Sequence, residues 1–256
     1  ISYNSLLSDG VTVADTEYRI TVPAGFTDVY GQTLGAAETV TVKIGAALPS
    51  LVPFESVTTL DPFADEQQLS VLSTNHDELR VRVFAADPSQ FGQFWQYQWE
   101  RDNPDTPLPG WQVLSDATLT IDGDPNRTLD TPIDLSGVLG GTFGHVIVLV
   151  EPVPLPSPSS DEYWSNRPTI TWVQSTQLGV DAFTDSRNAT VWVTDLRTGA
   201  PVADVDLSLT GGATGTTSVD GLATLRLPSS GGSDESVLVA TAGDDSALLP
   251  VQAFAS

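Results

Sequence analysis

Cysteine and methionine are both missing from this 256-residue chain. The absence of cysteine excludes disulfides, thiol nucleophiles and cysteine-ligated metals together, and it leaves the redox compartment open. Because a natural chain starts with methionine, the absence of this residue predicts an internal piece of a larger protein. We therefore expect further domains that belong to the same parent.

Basic residues are scarce. Ten Lys and Arg residues stand against 33 Asp and Glu residues, which gives a formal charge of −23, and Lys43 is the only lysine. A face that binds nucleic acid must neutralise phosphates with positive charge, so this composition excludes a nucleic-acid-binding protein. The acidic surface is interpreted as a solvated one, with weak binding of divalent cations as the alternative.

Long apolar runs are also lacking. No segment approaches the ~18 apolar residues of a membrane span. The first ten residues, ISYNSLLSDG, lack the basic and apolar regions of a secretion signal. With 18 prolines and 21 glycines, the length suits two or three small domains with buried cores.

What the sequence does contain is apolar residues in alternation with polar ones, the pattern of half-buried β-strands. In the run VWVTDLRTGAPVADVDLSLT, a turn at residues 198–201 separates two such strands. In TTSVDGLATLRLP, Asp220 and Gly221 suit a hairpin turn with positive φ at the glycine. These patterns predict an all-β chain of tandem immunoglobulin-like β-sandwich domains, with no helix longer than one or two turns.

Two proline-bearing stretches, ALPSLVPFE and VPLPSPSSDEYWSNRP, are interpreted as linkers. They predict three units. Residues 1–47 form the C-terminal part of a β-sandwich domain, residues 48–168 a second sandwich and residues 169–256 a third. The first unit has two or three predicted strands, which are too few to fold alone.

An aromatic run, FWQYQWE, is the first candidate site. Read as a strand, it places Trp95, Tyr97 and Trp99 on one face, with Trp111 nearby. A flat aromatic face can stack on sugars, but aromatic residues at strand spacing are the usual filling of a sandwich core. We interpret these side chains as core, with a sugar-binding face as the alternative.

The acidic run IDGDPNRTLD is the second candidate, since its alternating oxygen side chains are typical of a calcium loop. Those side chains belong to Asp122, Asp124, Asn126 and Asp130. The helical calcium loop needs Gly at its sixth position and Glu at its twelfth, and Arg127 and Ile133 stand there instead. The run is interpreted as a solvated turn, with a weak surface calcium site as the alternative.

The two histidines, His76 and His145, are the third candidate. Neither lies in a nucleophile-elbow or zinc-binding pattern, so no triad or ligand set follows. The glycosylation triplets at Asn126 and Asn188 are interpreted as chance matches. Paired acids are interpreted as turn or linker residues without the buried setting that an active acid needs; they are Asp65-Glu66, Asp77-Glu78, Asp161-Glu162, Asp234-Glu235 and Asp244-Asp245. The sequence therefore predicts no catalytic, cofactor-binding or metal-binding residue, and no cofactor.

The order of the segments carries a family resemblance. WVQSTQLGV, VWVTDLRTGAPVADVDLSL, GTTSVDGLATLRLP and SVLVATAGDDSALLPV, over residues 172–251, resemble the macroglobulin-like domain of bacterial alpha-2-macroglobulins. Upstream, PIDLSGVLGGTFGHVIVLVEP and ITVPAGFTDVYGQTLGAAETVTVKIG are similar to the two domains that precede it in that family. The resemblance implies three macroglobulin-like units in series.

The resemblance also implies an exported protease-trapping protein, periplasmic or on the cell surface. In that family a bait segment is cleaved, the macroglobulin domains rearrange, and a thioester reacts with the attacking protease. This chain has no cysteine for a thioester and no evident bait segment, so the resemblance implies a non-catalytic scaffold that contacts other domains of its parent and, in the full-length protein, proteases. A cell-surface adhesive or carbohydrate-binding array of β-modules is the alternative.

Overall fold

The computed structural model describes residues 13–103, 105–140, 142–160, 162–185, 187–227 and 237–250. Among the described residues, no helix is long and apolar enough to cross a membrane. The strands are β1 (Glu17–Val22), β2 (Glu38–Lys43), β3 (Ser50–Leu51), β4 (Val57–Leu60), β5 (Gln68–Thr74), β6 (Glu78–Ala85), β7 (Val113–Thr120), β8 (Thr128–Asp134), β9 (Gly144–Pro152), β10 (Thr169–Ser175), β11 (Leu178–Thr184), β12 (Asn188–Asp195), β13 (Asp206–Leu209), β14 (Thr214–Thr216), β15 (Leu222–Arg226), β16 (Val237–Ala242) and β17 (Asp245–Pro250). The helices are α1 (Phe91–Glu100) and α2 (Ser136–Leu139).

The strands form several separate sheets, which confirms the predicted all-β class. Antiparallel β1 and β2 make a hairpin. The next unit has a five-stranded sheet of order β4-β10-β9-β6-β7 and a three-stranded sheet of order β3-β5-β8. The last unit has a three-stranded sheet, β11-β12-β15, and a four-stranded sheet, β14-β13-β16-β17.

The central strand of the five-stranded sheet, β9, is buried on both of its faces. Its residues Val146, Val148 and Val150 point into a core that the three-stranded sheet β3-β5-β8 covers. The alternate residues Ile147 and Leu149 point to the opposite face, into a second core. A strand covered on both sides loses the polar alternation of a half-exposed strand, which is why the run VIVLV after His145 is apolar throughout.

The run FWQYQWE, predicted as a strand, forms the helix α1, so the prediction that no helix exceeds one or two turns is wrong. The helix follows a 3-10 turn at Pro88–Gln90 with a capping box, in which the Asp87 carboxylate accepts a hydrogen bond from the backbone N–H of Ser89. Phe91, Phe94 and Trp95 are its buried residues. Their i, i+3, i+4 spacing is helical, and it outweighs the apparent alternation that continues through Trp99.

The second core joins the five-stranded sheet to the last unit. Trp172 of β10 is fully buried there, and the rings of Phe91 and Phe94 from α1 meet its indole edge-on at centroid distances of 5.5 and 5.6 Å. Val237 of β16 and Leu248 of β17 belong to the same cluster. We call this cluster, together with His145, the aromatic junction.

The predicted boundary at residue 168 falls within the fold of the second unit. The strand β10 begins at Thr169, pairs along its whole length with β9, and pairs with β4 on its other side. The stretch VPLPSPSSDEYWSNRP is therefore a long loop between two neighbouring strands of one sheet, and long surface loops cost little extra closure entropy. Three units remain our proposal, with the second boundary moved to after Ser175.

The turn predicted at Gly221 is present in the last unit, but it does not close a hairpin, because the strands that flank it, β14 and β15, belong to different sheets. Gly221 has a φ of +71°, and a Cβ built there would lie 2.4 Å from the carbonyl oxygen of Val193. The position therefore requires glycine both for its backbone conformation and for the close approach of β12. Beneath it, a third core fills the space between the two sheets, with Val191, Leu207 and Leu225 among its buried residues.

Candidate functional site

The aromatic candidates separate in the structure. Trp95 is buried, whereas Trp99 is 72% exposed, and their rings meet at 69° with centroids 5.9 Å apart. Trp111 is buried, and its Nε1 donates a hydrogen bond to Gln93 Oε1. The core interpretation thus holds for Trp95 and Trp111, and no coplanar aromatic face forms along α1.

The acidic candidate loop lies at the surface of the second unit. Asp122, Asp124 and Asp130 are exposed, and Asp124 forms a surface ion pair with Arg127 at 3.6 Å. Among the described residues, no group of three or more acidic, histidine or cysteine side chains could hold a metal ion. Of the paired acids, Asp161 and Asp234-Glu235 lie outside the described residues.

Asn126 of that loop has a structural role that sequence reasoning missed. With a φ of +65°, it donates from Nδ2 to Asp15 Oδ2 at 2.7 Å, and its Oδ1 accepts from the backbone N–H of Ala47 at 2.8 Å. Asn75, at a φ of +52°, accepts the backbone N–H of Asn126 at 2.6 Å and donates to the carbonyl of Ala47 at 2.7 Å. We call these four residues the asparagine joint, because they tie the β1-β2 hairpin to the second unit.

Residue type explains why asparagine holds both positions. Asn is among the few non-glycine residues that tolerate a left-handed backbone. Its amide also offers a donor and an acceptor at once. The available sequence signal was weak, because each Asn lies in a short polar turn that looks solvated.

His145 is a buried connector at the aromatic junction. Its Nδ1 accepts a hydrogen bond from Trp172 Nε1 at 3.0 Å, and its Nε2 lies 2.9 Å from Ser246 Oγ. An indole N–H can only donate, so this contact assigns the proton of the neutral ring to Nε2. Burial lowers the pKa of His145 to about 4, while the charge of Asp87 acts in the opposite direction.

This tautomer decides the chemistry of the Ser246 and His145 pair. A general base must offer a lone pair to the serine hydroxyl, and here Nε2 donates to Ser246 Oγ instead. The pair therefore lacks the arrangement of an activated nucleophile.

Burial also lowers the pKa of the other histidine, His76, which is near Asn166 and Ser50.

Two polar side chains fasten the last unit to β10 and its following turn. The buried carboxylate of Asp245 accepts hydrogen bonds from Thr176 Oγ1 and from the backbone N–H of Gln177, and burial raises its pKa. Gln174 donates from Nε2 to Thr59 Oγ1 at 3.0 Å and accepts the backbone N–H of Leu248 at 2.8 Å. These contacts bridge β4, β10 and β17.

Beside these bridges lies a groove of about 830 Å³. Strands β4, β11 and β17 border it, and each is an edge strand of its own sheet. Its apolar lining comes from Val57, Leu60, Leu178, Val180, Leu248, Leu249 and Pro250, and its charged lining from Asp61, Asp181 and Arg197. We call it the three-edge groove.

One of the three edges carries few free backbone donors. The N–H of Leu248 is taken by the Gln174 side chain, and Pro250 has no N–H. An edge strand without free donors cannot easily accept another strand. The strand β17 is therefore the blunted edge of the groove.

No family model matches the sequence, and no curated protein matches it. Solved structures do. A crystal structure of native alpha-2-macroglobulin from Escherichia coli, spanning domains MG0-NIE-MG1, has a TM-score of 0.58 at 17% identity, over 94% of this chain and 76% of that one. A fragment of the same protein spanning NIE-MG1 has a TM-score of 0.59 at 15% identity, over 80% of this chain and 97% of that one.

The corresponding Salmonella protein, in a structure reacted with methylamine, has a TM-score of 0.53 at 16% identity over 94% of this chain. This chain spans only 14% of that longer one. At such identities the likeness shows the fold. The resemblance to bacterial alpha-2-macroglobulins is thus confirmed as a likeness of fold that extends over most of the chain.

Proposed function

We propose that this chain is a non-catalytic scaffold segment of a bacterial alpha-2-macroglobulin-like protease trap. The observation that carries the proposal is the match over 94% of the chain to a fragment that spans three consecutive domains of the Escherichia coli protein. A single β-sandwich fold recurs in many unrelated proteins, but the same series of units is more specific. The proposed parent is exported, to the periplasm or the cell surface.

The chemistry of the described residues supports a scaffold. The chain has no thiol that could form a thioester. Its buried histidine at the aromatic junction donates to Ser246 and has a pKa of about 4, so it is a poor base at neutral pH. The working parts of a trap would then belong to other regions of the parent, which are the proposed partners of this segment together with the trapped protease.

The continuous core between the second and last units supports the same role. Trp172, Leu248 and the aromatic side chains of α1 pack in one cluster across the two units. A rigid framework needs such dry contacts, because interfaces that are small and polar allow relative motion. The aromatic junction is therefore the contact that would hold the second and last units in a fixed relative position.

The test uses the isolated 256-residue chain and the intact parent side by side. Each is incubated with trypsin, and residual activity is measured on a small and on a protein substrate, with adducts read on denaturing gels. We expect no inhibition and no adduct with the isolated chain, and shielding of the protein substrate by the parent. An adduct with the isolated chain would overturn the scaffold role, and a parent that leaves trypsin fully active would overturn the trap.

The adhesive or carbohydrate-binding alternative rests on two exposed indoles, Trp99 at 72% and Trp164 at 66% exposure. Exposed tryptophans are common sugar-stacking groups. A glycan array probed with the chain and with Trp99→Ala and Trp164→Ala variants tests it. Binding that both substitutions abolish would favour the alternative, and an array without signal would remove it.

A further inference from the structure

On the outer edge of β4, no partner among the described residues takes the outward backbone groups. This strand pairs on one side only, in parallel with β10, and its carbonyls at Ser56 and Leu60 accept from Trp172 and Thr176. In a parallel pair, alternate residues of a strand turn their N–H and C=O to the same neighbour. Val57 and Thr59 therefore direct theirs to the opposite side, and both residues line the three-edge groove.

The edge of β11 is arranged in the same way. It pairs only with β12, and the backbone N–H of Leu196 reaches the carbonyl of Gln177, so residues 177, 179 and 181 face β12. Residues 178, 180 and 182 face away. The N–H of Leu178 is used by Thr176 Oγ1, but no side chain takes the N–H of Val180 among the described residues.

These polar groups occur at strand spacing and come from the main chain, which favours an extended peptide over a small molecule. Apolar side chains between them, such as Leu60 and Val180, offer contacts to alternate side chains of such a peptide. The groove volume of about 830 Å³ is within the ~300–1,000 Å³ of typical ligand sites.

Charge selects the kind of peptide. Two carboxylates of the groove, Asp61 and Asp181, outnumber its one cation, Arg197, whose guanidinium is 5.4 Å from the ring centre of Phe63. The whole chain has a formal charge of −23. Such a field attracts cationic segments and repels acidic ones.

We propose that the three-edge groove binds an extended cationic peptide segment, which adds as a strand to the outer edge of β4 beside Val57 and Thr59. The segment alternates aliphatic and basic side chains. The β17 edge is blunted and the Leu178 N–H of β11 is already bonded to Thr176 Oγ1, so β4 is the preferred pairing edge. This site does not depend on the proposed protease-trap role.

The probe is a labelled seven-residue peptide of alternating lysine and valine, acetylated and amidated, titrated with the full chain in low salt by fluorescence anisotropy. We expect saturable binding. N-methylation of alternate amides on one edge of the peptide should weaken it about tenfold or more, because each lost main-chain hydrogen bond costs about 0.5–1.5 kcal/mol. Glutamate in place of lysine should abolish it.

Variants of the chain test the edge itself. Thr59→Pro removes the outward N–H of β4 and should weaken binding about tenfold. Thr216→Pro is the matched control, since Thr216 lies on the edge strand β14 away from the groove. Circular dichroism checks that each variant is folded.

Three outcomes would overturn the proposal. The first is no binding of the lysine-valine peptide. The second is equal binding of the N-methylated peptide, since strand addition requires free amides. The third is an equal loss with Thr59→Pro and Thr216→Pro, which would show attraction to the acidic surface in general.

Discussion

The two ends of the second unit are joined to their neighbours by different chemistry. The asparagine joint, at one end, is a set of hydrogen bonds among Asp15, Ala47, Asn75 and Asn126, of which the Asp15 contact is exposed. The aromatic junction, at the other end, is a dry cluster around Trp172 in which the polar contacts of His145 are saturated.

The difference lies in the source of stability. Apolar burial scales with the area removed from water, and a buried indole contributes several kcal/mol. A hydrogen bond within the protein replaces hydrogen bonds to water, so each one contributes only about 0.5–1.5 kcal/mol to stability. We therefore expect the aromatic junction to unfold with the units that it joins, and the asparagine joint to open more easily.

Trp172→Ala is the substitution with the largest expected effect on this comparison. The indole is fully buried, so its removal leaves a cavity and should lower the free energy of unfolding by about 3–5 kcal/mol. Urea titration followed by circular dichroism measures it. Trp164→Ala, at an exposed position, is the control and should stay within about 0.5 kcal/mol of the unchanged protein. Equal losses at the two positions would contradict a dry junction.

Acid should weaken the aromatic junction through His145. Its pKa of about 4 lies below the ~6.5 of an exposed histidine, so the unfolded chain binds a proton in this window that the folded chain does not. The contribution of this group to the free energy of unfolding is complete above pH ~6.5 and falls as the pH drops towards ~4. The total loss is on the order of 3 kcal/mol. Asp245, whose pKa is raised, acts in the opposite direction.

Unfolding free energies at several pH values between neutral and acid test this, with His145→Gln and His76→Gln compared. We expect His145→Gln to remove most of the slope. His76→Gln should keep more of it, although burial lowers the pKa of that histidine as well. An unchanged slope in His145→Gln would contradict a neutral buried ring.

Gly221→Val tests whether damage inside the last unit is felt across the aromatic junction. The new Cβ would meet the carbonyl of Val193, and a β-branched residue at positive φ adds strain of about 1–3 kcal/mol. Gly199→Val is the matched control, because Gly199 has a φ of +70° with no atom within 4 Å of its Cβ. We expect Gly221→Val to cost about 1 kcal/mol more than the control.

The fluorescence of the buried tryptophans and the circular dichroism of the sheets should shift together in Gly221→Val, because one core spans both units. Two separated transitions would show that the junction does not couple them. An unchanged melting temperature would count against the close approach at this turn.

Asn126→Ala has the smallest expected effect on global stability. It removes the side-chain hydrogen bonds to Asp15 and Ala47 at a left-handed position and should cost about 1–2 kcal/mol, mostly at the hairpin. Hydrogen exchange of the Ile44 amide, which is bonded to Thr16, should accelerate while β10 stays protected. Asn188→Ala is the control, since its amide contact with Asp185 is long, at 3.4 Å. Equal acceleration of Ile44 exchange in Asn126→Ala and Asn188→Ala would leave no special role for Asn126 and contradict the joint.

Much of the fold follows from the sequence because strand alternation is a local signal. The two strands predicted in VWVTDLRTGAPVADVDLSLT are β12 and β13, and their alternate residues Val191, Val193 and Leu207 are buried. The helix α1 was missed because Trp95, Tyr97 and Trp99 imitate that period. The decisive information lay upstream, in the capping box at Asp87 to Gln90, and in the tertiary partner Trp172.

The sites were harder to predict, since they depend on residues far apart in the chain. Asn126 and Asp15 are 111 positions apart, and His145 and Ser246 are 101 apart. No local pattern links such pairs. The three-edge groove likewise exists only once strands β4, β11 and β17 from different sheets lie side by side.

The blunted edge of β17 limits how this unit can associate with other copies of itself. Exposed strand edges with free amides invite pairing with a second molecule, and that is a common route to fibrils. With Gln174 covering Leu248 and a proline at position 250, this margin cannot seed such stacking. Copies of the sandwich, in tandem along one polypeptide or at high concentration, would therefore not polymerise through β17.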